Sequence, residues 1–279
     1  MTAVPEITLN DGLKVPAIGF GTYKLNGAAG VQAIVSALDA GYRLLDSAFN
    51  YENEGAVGEA IRRSSVPREQ IRVTSKLPGR HHSYDQALVT IQESLYRTGL
   101  DYFDLYLIHW PNPSKDLYVE AWQALIDAKK WGLIRSIGVS NFLPEHLDRI
   151  IKETGVTPCI NQVELHPYFS QEEQRAYHKE HGIVTESWSP LGRANNLLEH
   201  PVIQKIADVH EKSIPQIILR WHIQLDALPL PKATSPQRQI DNISVFDFKL
   251  SDEEMRTISG LSHPEGRFRN QDPATYEEF

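Results

Sequence analysis

Short apolar runs alternate with amphipathic stretches along most of the chain. Runs that read as buried strands recur at residues 17–20, 43–46, 71–76, 103–109, 134–139, 160–163, 183–188 and 228–230. Between them apolar positions return at helical spacing, as in Ala87, Leu88, Ile91 and Leu95, or in Val119, Trp122, Leu125 and Ile126. A continuously apolar strand needs cover on both faces, which indicates a parallel sheet wrapped by helices. Eight such units in 279 residues predict an α/β fold, a closed (β/α)8 or TIM barrel, in preference to an open doubly wound sheet. The first segment departs from this pattern. ITLNDGLKVPAI sets two short strand-like pieces about Asn10-Asp11-Gly12, so an N-terminal β-hairpin is expected to plug the barrel bottom. No linker or low-complexity tract interrupts the pattern, and residues 1–279 are expected to form a single domain; the polar tail from His263 is the nearest approach to a boundary.

Composition narrows the functional classes. A formal net charge of −8 opposes non-specific binding to nucleic acid or to anionic membrane, because both reward a basic surface. The opening residues MTAVPEITLN lack an export pattern and no long apolar run appears, so a cytoplasmic protein is expected. Cys159, the only cysteine, lies among Val156, Pro158 and Ile160 and reads as a small buried hydrophobe.

In a parallel barrel the chemistry gathers where strands end, so a polar residue closing an apolar run is a candidate for function. Three consecutive runs close in this way, on Asp46, Lys76 and His109. Singly, each has a structural explanation as a turn cap, a snorkelling lysine or a hydrogen-bonded core histidine. Together they bring an acid, a base and an imidazole to one rim. Tyr51 follows in the loop FNYENEG, just before a helix expected near Glu54. A phenol with an ordinary pKa near 10 is a poor proton carrier at neutral pH, and a nearby ammonium is expected to lower that value. Lys76 supplies the ammonium, and Asp46 is the partner that keeps it charged when buried.

The segments GFGTYKL, LLDSAFNYENEGAVGEAI, TSKLP, DLYLIHWP, GVSNF, NQVELHPY, SWSPLG and LPKATSPQRQIDN resemble the aldo-keto reductases in order and spacing across nearly the whole chain. The resemblance implies a (β/α)8 barrel, NADPH-dependent reduction of small-molecule carbonyls, and a catalytic tetrad on Asp46, Tyr51, Lys76 and His109. In that scheme Tyr51 donates the proton and His109 orients the carbonyl oxygen, while the hydride belongs to the cofactor, NADPH/NADP+. Positions matching cofactor contacts are Gly21, Thr22, Ser140, Asn141, Gln162, Trp188, Ser189, Leu191, Lys232, Thr234, Arg238 and Asn242. Of these, Ser140, Asn141 and Gln162 match partners of the nicotinamide carboxamide, Trp188 the stacking platform, and Asn242 an adenine contact.

With an acidic chain, any bound phosphate must be held locally. Lys232, a helix start at Ser235-Pro236 and Arg238 in the first turn make a helix N-terminus flanked by cations. The resemblance assigns this site to the adenosine 2′-phosphate. Ala233 stands where the family usually has serine, which weakens the preference for NADPH over NADH without reversing it. Tyr23 and Trp110 match aromatic walls of the substrate pocket. Short loops and a brief tail predict an open pocket suited to small aldehydes, α-dicarbonyls or keto-sugar acids. In this the chain is most similar to the family's bacterial diketo-gluconate- and methylglyoxal-reducing members, and a monomer is the implied state.

Other signals are weaker. Gly19-x-Gly21 lacks the third glycine of the dinucleotide fingerprint, and His81, His82, His178 and His181 read as solvent-facing residues, with no metal site. Two alternatives stand beside the reductase: a non-catalytic cofactor-binding regulatory subunit of the same fold, and a barrel isomerase or lyase using Lys76 as a Schiff-base nucleophile.

Overall fold

The computed structural model describes residues 3–193 and 196–278. An antiparallel pair, β1 (Glu6–Thr8) and β2 (Lys14–Pro16), precedes one parallel sheet. That sheet comprises β3 (Phe20–Gly21), β4 (Leu44–Asp46), β5 (Arg72–Leu77), β6 (Phe103–Ile108), β7 (Ile134–Ser140), β8 (Ile160–Glu164), β9 (Val184–Trp188) and β10 (Ala227–Pro229), paired in chain order. Helices α1 (Gly27–Asp39), α2 (Glu54–Arg63), α3 (Tyr84–Thr98), α4 (Tyr118–Lys130) and α5 (Pro144–Thr154) surround it, followed by α6 (Glu172–Glu180), α7 (Pro201–His210), α8 (Ile214–Gln224), α9 (Pro236–Ile243) and α10 (Asp252–Ser259). Every run read as a strand contributes to the sheet.

The two edges of the sheet meet. Gly19 N–H donates to the Pro229 carbonyl at 3.0 Å and Gly21 N–H to that of Pro231 at 3.1 Å. A parallel ladder would return a bond to the Gly19 carbonyl from residue 231, but Pro231 has no N–H to give. The closing seam is therefore held by bonds in one direction only, and of the run 17–20 only Phe20 lies in regular strand.

The hairpin closes the bottom, as its sequence predicted. Its turn is made by Gly12 in the left-handed region at φ +90°. Leu9 and Val15 then pack against Leu44, Leu105, Ile160 and Leu228 at the N-terminal ends of the strands. Asp11 fastens the plug by accepting bonds from Ser136 Oγ and Lys129 Nζ, each at 2.6 Å. Cys159 is buried in the same cluster, where burial pushes its thiol well up.

The helices bury the faces their spacing indicated. On α3, Ala87, Ile91 and Leu95 face inward, and Gly99 at φ +68° ends the helix. Between α2 and α3 the approach is so close that a Cβ on Gly58 would stand 1.8 Å from the Thr98 carbonyl. Two histidines expected at the surface lie in the core instead. His178 on α6 contacts Asn161 Nδ2, Gln174 Nε2 and Thr185 Oγ1 within hydrogen-bond distance, and burial pushes it down to about 3. His82 is buried too and pushed down to about 4 for the same reason. The polar sequence of α6 concealed an imidazole on its inward face. Among the described residues no His, Cys, Asp and Glu cluster is able to hold a metal, and no helix is long and apolar enough to cross a membrane.

Candidate active site

Because β4, β5 and β6 are neighbours, Asp46, Lys76 and His109 come to one rim. Lys76 is sealed from solvent, and its Nζ donates to Asp46 Oδ1 and to the Ser47 carbonyl, each at 2.7 Å. Burial alone would lower its pKa, but Asp46, then Tyr51 and Glu186, more than offset this and hold it above the ordinary lysine value. The ammonium stays charged.

Tyr51 is returned to that ammonium by a tight turn over Phe49–Tyr51, which Glu52 ends in the left-handed region at φ +54°. Buried Asn53 fixes the turn: its Nδ2 donates to the Thr22 carbonyl at 2.6 Å and its Oδ1 accepts from Ser47 Oγ at 2.8 Å. Lys76 Nζ then lies 5.1 Å from the centre of the Tyr51 ring. The expectation that Lys76 brings the phenol below its ordinary value is not met. Burial pushes Tyr51 up to about 12, with Asp46 and Glu278 adding to the rise, and Lys76 only partly opposes them. A sequence shows the ammonium but not the depth of the site.

Beneath these groups lies a second carboxylate. Gln162 Nε2 donates across the barrel interior to Asp46 Oδ1 at 2.9 Å and to Glu186 Oε2 at 2.7 Å. Both side-chain amide hydrogens are thereby committed, and Gln162 Oε1 is left to accept. Burial, then the charge of Asp46, pushes Glu186 up to about 8. One ammonium thus faces two carboxylates, and at neutral pH Glu186 keeps its proton.

The remaining candidates divide by what they already hold. Asn141, in the left-handed region at φ +62°, donates to the His109 carbonyl at 3.0 Å and accepts from Trp188 Nε1 at 2.8 Å. This tethers the edge of the half-buried Trp188 ring. Ser140 Oγ donates to the Gln162 carbonyl at 2.8 Å, and Ser189 and Leu191 form the turn that follows β9. Thr22 is fully buried, its hydroxyl given to the Asp46 carbonyl at 2.8 Å. Gly21 sits so close to the Leu230 carbonyl that a Cβ would be 3.1 Å from it.

At the other end of the rim, α9 starts on Pro236 with Ser235 before it, as predicted. Lys232, Thr234 and Arg238 are exposed there, and among the described residues neither cation has an ion-pair partner. Asn242 is buried on the same helix, and Gln239 docks the helix by donating to the carbonyls of Ala33 and Ala233 at 2.9 and 3.0 Å. Tyr23 is exposed beside Tyr51, their ring centres 5.0 Å apart. Trp110 is buried, covered by Tyr276 at 4.4 Å.

The model of the Aldo/keto reductase family matches residues 17–263. The 2,5-diketo-D-gluconic acid reductase B of a Corynebacterium species is 52% identical over 279 residues, covering 100% of both chains. The chain belongs to the aldo/keto reductase family. Among solved structures, an aldo/keto reductase from Brucella melitensis superposes with a TM-score of 0.89 at 47% identity, over 93% of this chain and 100% of that one. A mutant of Gox0644 in complex with NADPH gives 0.94 at 39% identity, over 99% of each.

For a member of this family the site holds residues that sequence reasoning missed. Glu186 is hidden inside the strand run 183–188, and only its inward direction in the barrel reveals it. Glu278 lies in the tail beyond the family match, where polar residues signalled nothing but solvent. The tail narrows the open pocket that was expected, since Tyr276 and Glu278 close one side of the rim over Trp110 and His109. A nicotinamide cofactor fits what remains, on the observation of two unpaired cations at a helix N-terminus and a buried amide with a free acceptor.

Proposed function

We propose that this protein reduces small carbonyl compounds to alcohols with NADPH, Tyr51 giving the proton and His109 orienting the carbonyl oxygen. The observation that carries this reading is the sealed Lys76–Asp46 pair under the Tyr51 phenol. Bound NADPH supplies the hydride. Lys232 and Arg238 hold its 2′-phosphate, Gln162 accepts from its carboxamide, and the Trp188 face supports its ring, with the whole site carried by one domain. Tyr51, pushed up to about 12, keeps its proton throughout the neutral range and acts as the donor in the reductive direction. A positioned donor of this kind contributes about 10²- to 10⁴-fold.

The mouth favours substrates that carry a carboxylate. Arg193 stands 4.7 Å from the Tyr23 ring centre and 5.0 Å from that of Phe268, while Arg269 lies 5.1 Å from Phe268. The Tyr23 phenol is lowered by its hydrogen bond with Arg193, against burial, with Lys24 and Arg269 adding to the effect. An acidic chain has gathered cations at this edge. Keto-sugar acids therefore suit it better than uncharged α-dicarbonyls, in line with the name of the Corynebacterium relative. NADPH consumption with a diketo-gluconate and with methylglyoxal, at low and high salt, tests the reading. The keto acid is expected to have the higher kcat/KM at low salt, with the gap narrowing as salt rises; no consumption with any carbonyl would refute the activity.

A further inference from the structure

The tail after α10 folds back to the rim and presses a carboxylate against His109. Its docking is accomplished by other groups. Tyr276 packs on Trp110, Glu277 Oε1 accepts from Ser114 N–H at 2.7 Å, and Asn112 brackets the Glu278 backbone, donating to its carbonyl at 2.7 Å and accepting from its N–H at 3.0 Å. The Glu278 side chain is then free to turn inward, where it is 9% exposed. Its Oε2 accepts from Gly79 N–H at 2.9 Å and its Oε1 from Asn50 Nδ2 at 2.7 Å. The same Oε1 stands 2.7 Å from His109 Nδ1, out of line with the ring N–H. Burial alone would raise this carboxyl, but His109, Gly79 N–H and the Asn50 amide together hold it below the usual range.

A buried carboxylate oxygen this close favours a proton on the near ring nitrogen even out of line with it, because the hydrogen brings positive charge toward the anion where a lone pair would bring negative. Nε2 has no protein partner among the described residues. We propose that Glu278 is a positioning residue that fixes a proton on His109 Nδ1 and thereby decides the form in which Nε2 meets the carbonyl oxygen. The inference rests on the reading of His109 as the group that orients the substrate. With Nδ1 protonated, Nε2 donates only when the ring carries both protons. The donor is then charge-assisted, and the pair with Glu278 is neutral overall. A ring with a single proton on Nδ1 presents a lone pair to the carbonyl oxygen and repels it.

The other groups around the pair do not take this role. Tyr51, on the loop after β4, meets the imidazole edge-to-face at 5.9 Å, and Lys76 lies behind Tyr51, committed to Asp46 and Ser47. His82, on the loop after β5, faces Glu278 but is kept uncharged by burial.

Nitrogen-15 NMR of the histidine side chains reads the proton directly, with His109→Asn assigning the signal. In the wild type Nδ1 is expected to be protonated at neutral pH. In Glu278→Gln the negative charge beside Nδ1 is removed, and the proton is expected to move to Nε2. The wild-type kcat for reduction should then fall about tenfold per pH unit once the ring loses its second proton, while Glu278→Gln stays flat and Glu278→Asp restores the fall. KM should change less than about threefold, because the tail is docked by other groups. An unprotonated Nδ1 in the wild type, or an identical nitrogen pattern and pH profile in Glu278→Gln, overturns the proposal. A tail needed only for packing would raise KM and leave both readouts in place. Should the protein reduce no carbonyl at all, the NMR result still decides the placement of the proton.

Discussion

The two ends of this barrel are built by the same strands with opposite chemistry. Along β4 the inward positions pass from Leu44 to Asp46, along β8 from Ile160 to Gln162, and along β9 from Val184 to Glu186. One pleat period separates a hydrocarbon plug from a buried charge network. At the bottom Leu9 and Val15 meet a ring of aliphatic side chains, each of which satisfies itself by being covered. At the top Lys76, Asp46, Gln162 and Glu186 are satisfied by one another and by the Ser47 carbonyl. Apolar packing degrades gradually when one member is trimmed, whereas a closed polar network strands whichever partner is left.

Substitutions at each end separate the two behaviours. Tyr51→Phe is expected to lower kcat for carbonyl reduction by about 10²- to 10⁴-fold while NADPH still binds, as fluorescence titration would report; near-normal turnover would remove Tyr51 as the donor. Lys76→Met strands Asp46 and should cost about 3–5 kcal/mol in denaturant unfolding besides abolishing turnover. Leu105→Ala, in the bottom layer, should cost about 3 kcal/mol yet leave kcat near wild type where the protein is folded, and a large loss of kcat would break the contrast. Arg238→Ala, an exposed cation, should leave stability unchanged and reduce the preference for NADPH over NADH about tenfold, or about 1.4 kcal/mol.

The smallest expected effect is a pH dependence of stability. Glu186 holds its proton in the folded protein up to about 8, against an ordinary carboxyl value of 4.5. Its contribution is therefore fully present below 4.5 and fades as the pH rises through about 8. Glu186→Gln removes that fade, so Tm should decline less across this window than in the wild type. Equal declines would mean that Glu186 is ionised in the folded state.

Much of the fold was legible from periodicity. Strand positions, the helix start at Glu54, the Asn10-Asp11-Gly12 turn and the Pro236 helix start all follow from local pattern and turn chemistry. His178 and His82 escaped, because the face a polar helix or loop turns inward depends on what packs against it. Asp46, Lys76 and His109 were visible because each ends an apolar run. Glu186 was not, since it sits inside one, and Glu278 was not, since a glutamate in a polar tail resembles any solvated charge.

By itself the sequence determined the barrel, its plugged end, its family and the residue types gathered at its rim, because these depend on spacing along the chain and on motifs read in order. Tertiary structure alone decided that Pro231 leaves the seam one-way and that depth raises Tyr51 despite its lysine. It also decided that Gln162 links two carboxylates across the interior and that a tail residue meets His109. Each of these depends on distance and burial between segments far apart in sequence, and neither quantity is written in local pattern.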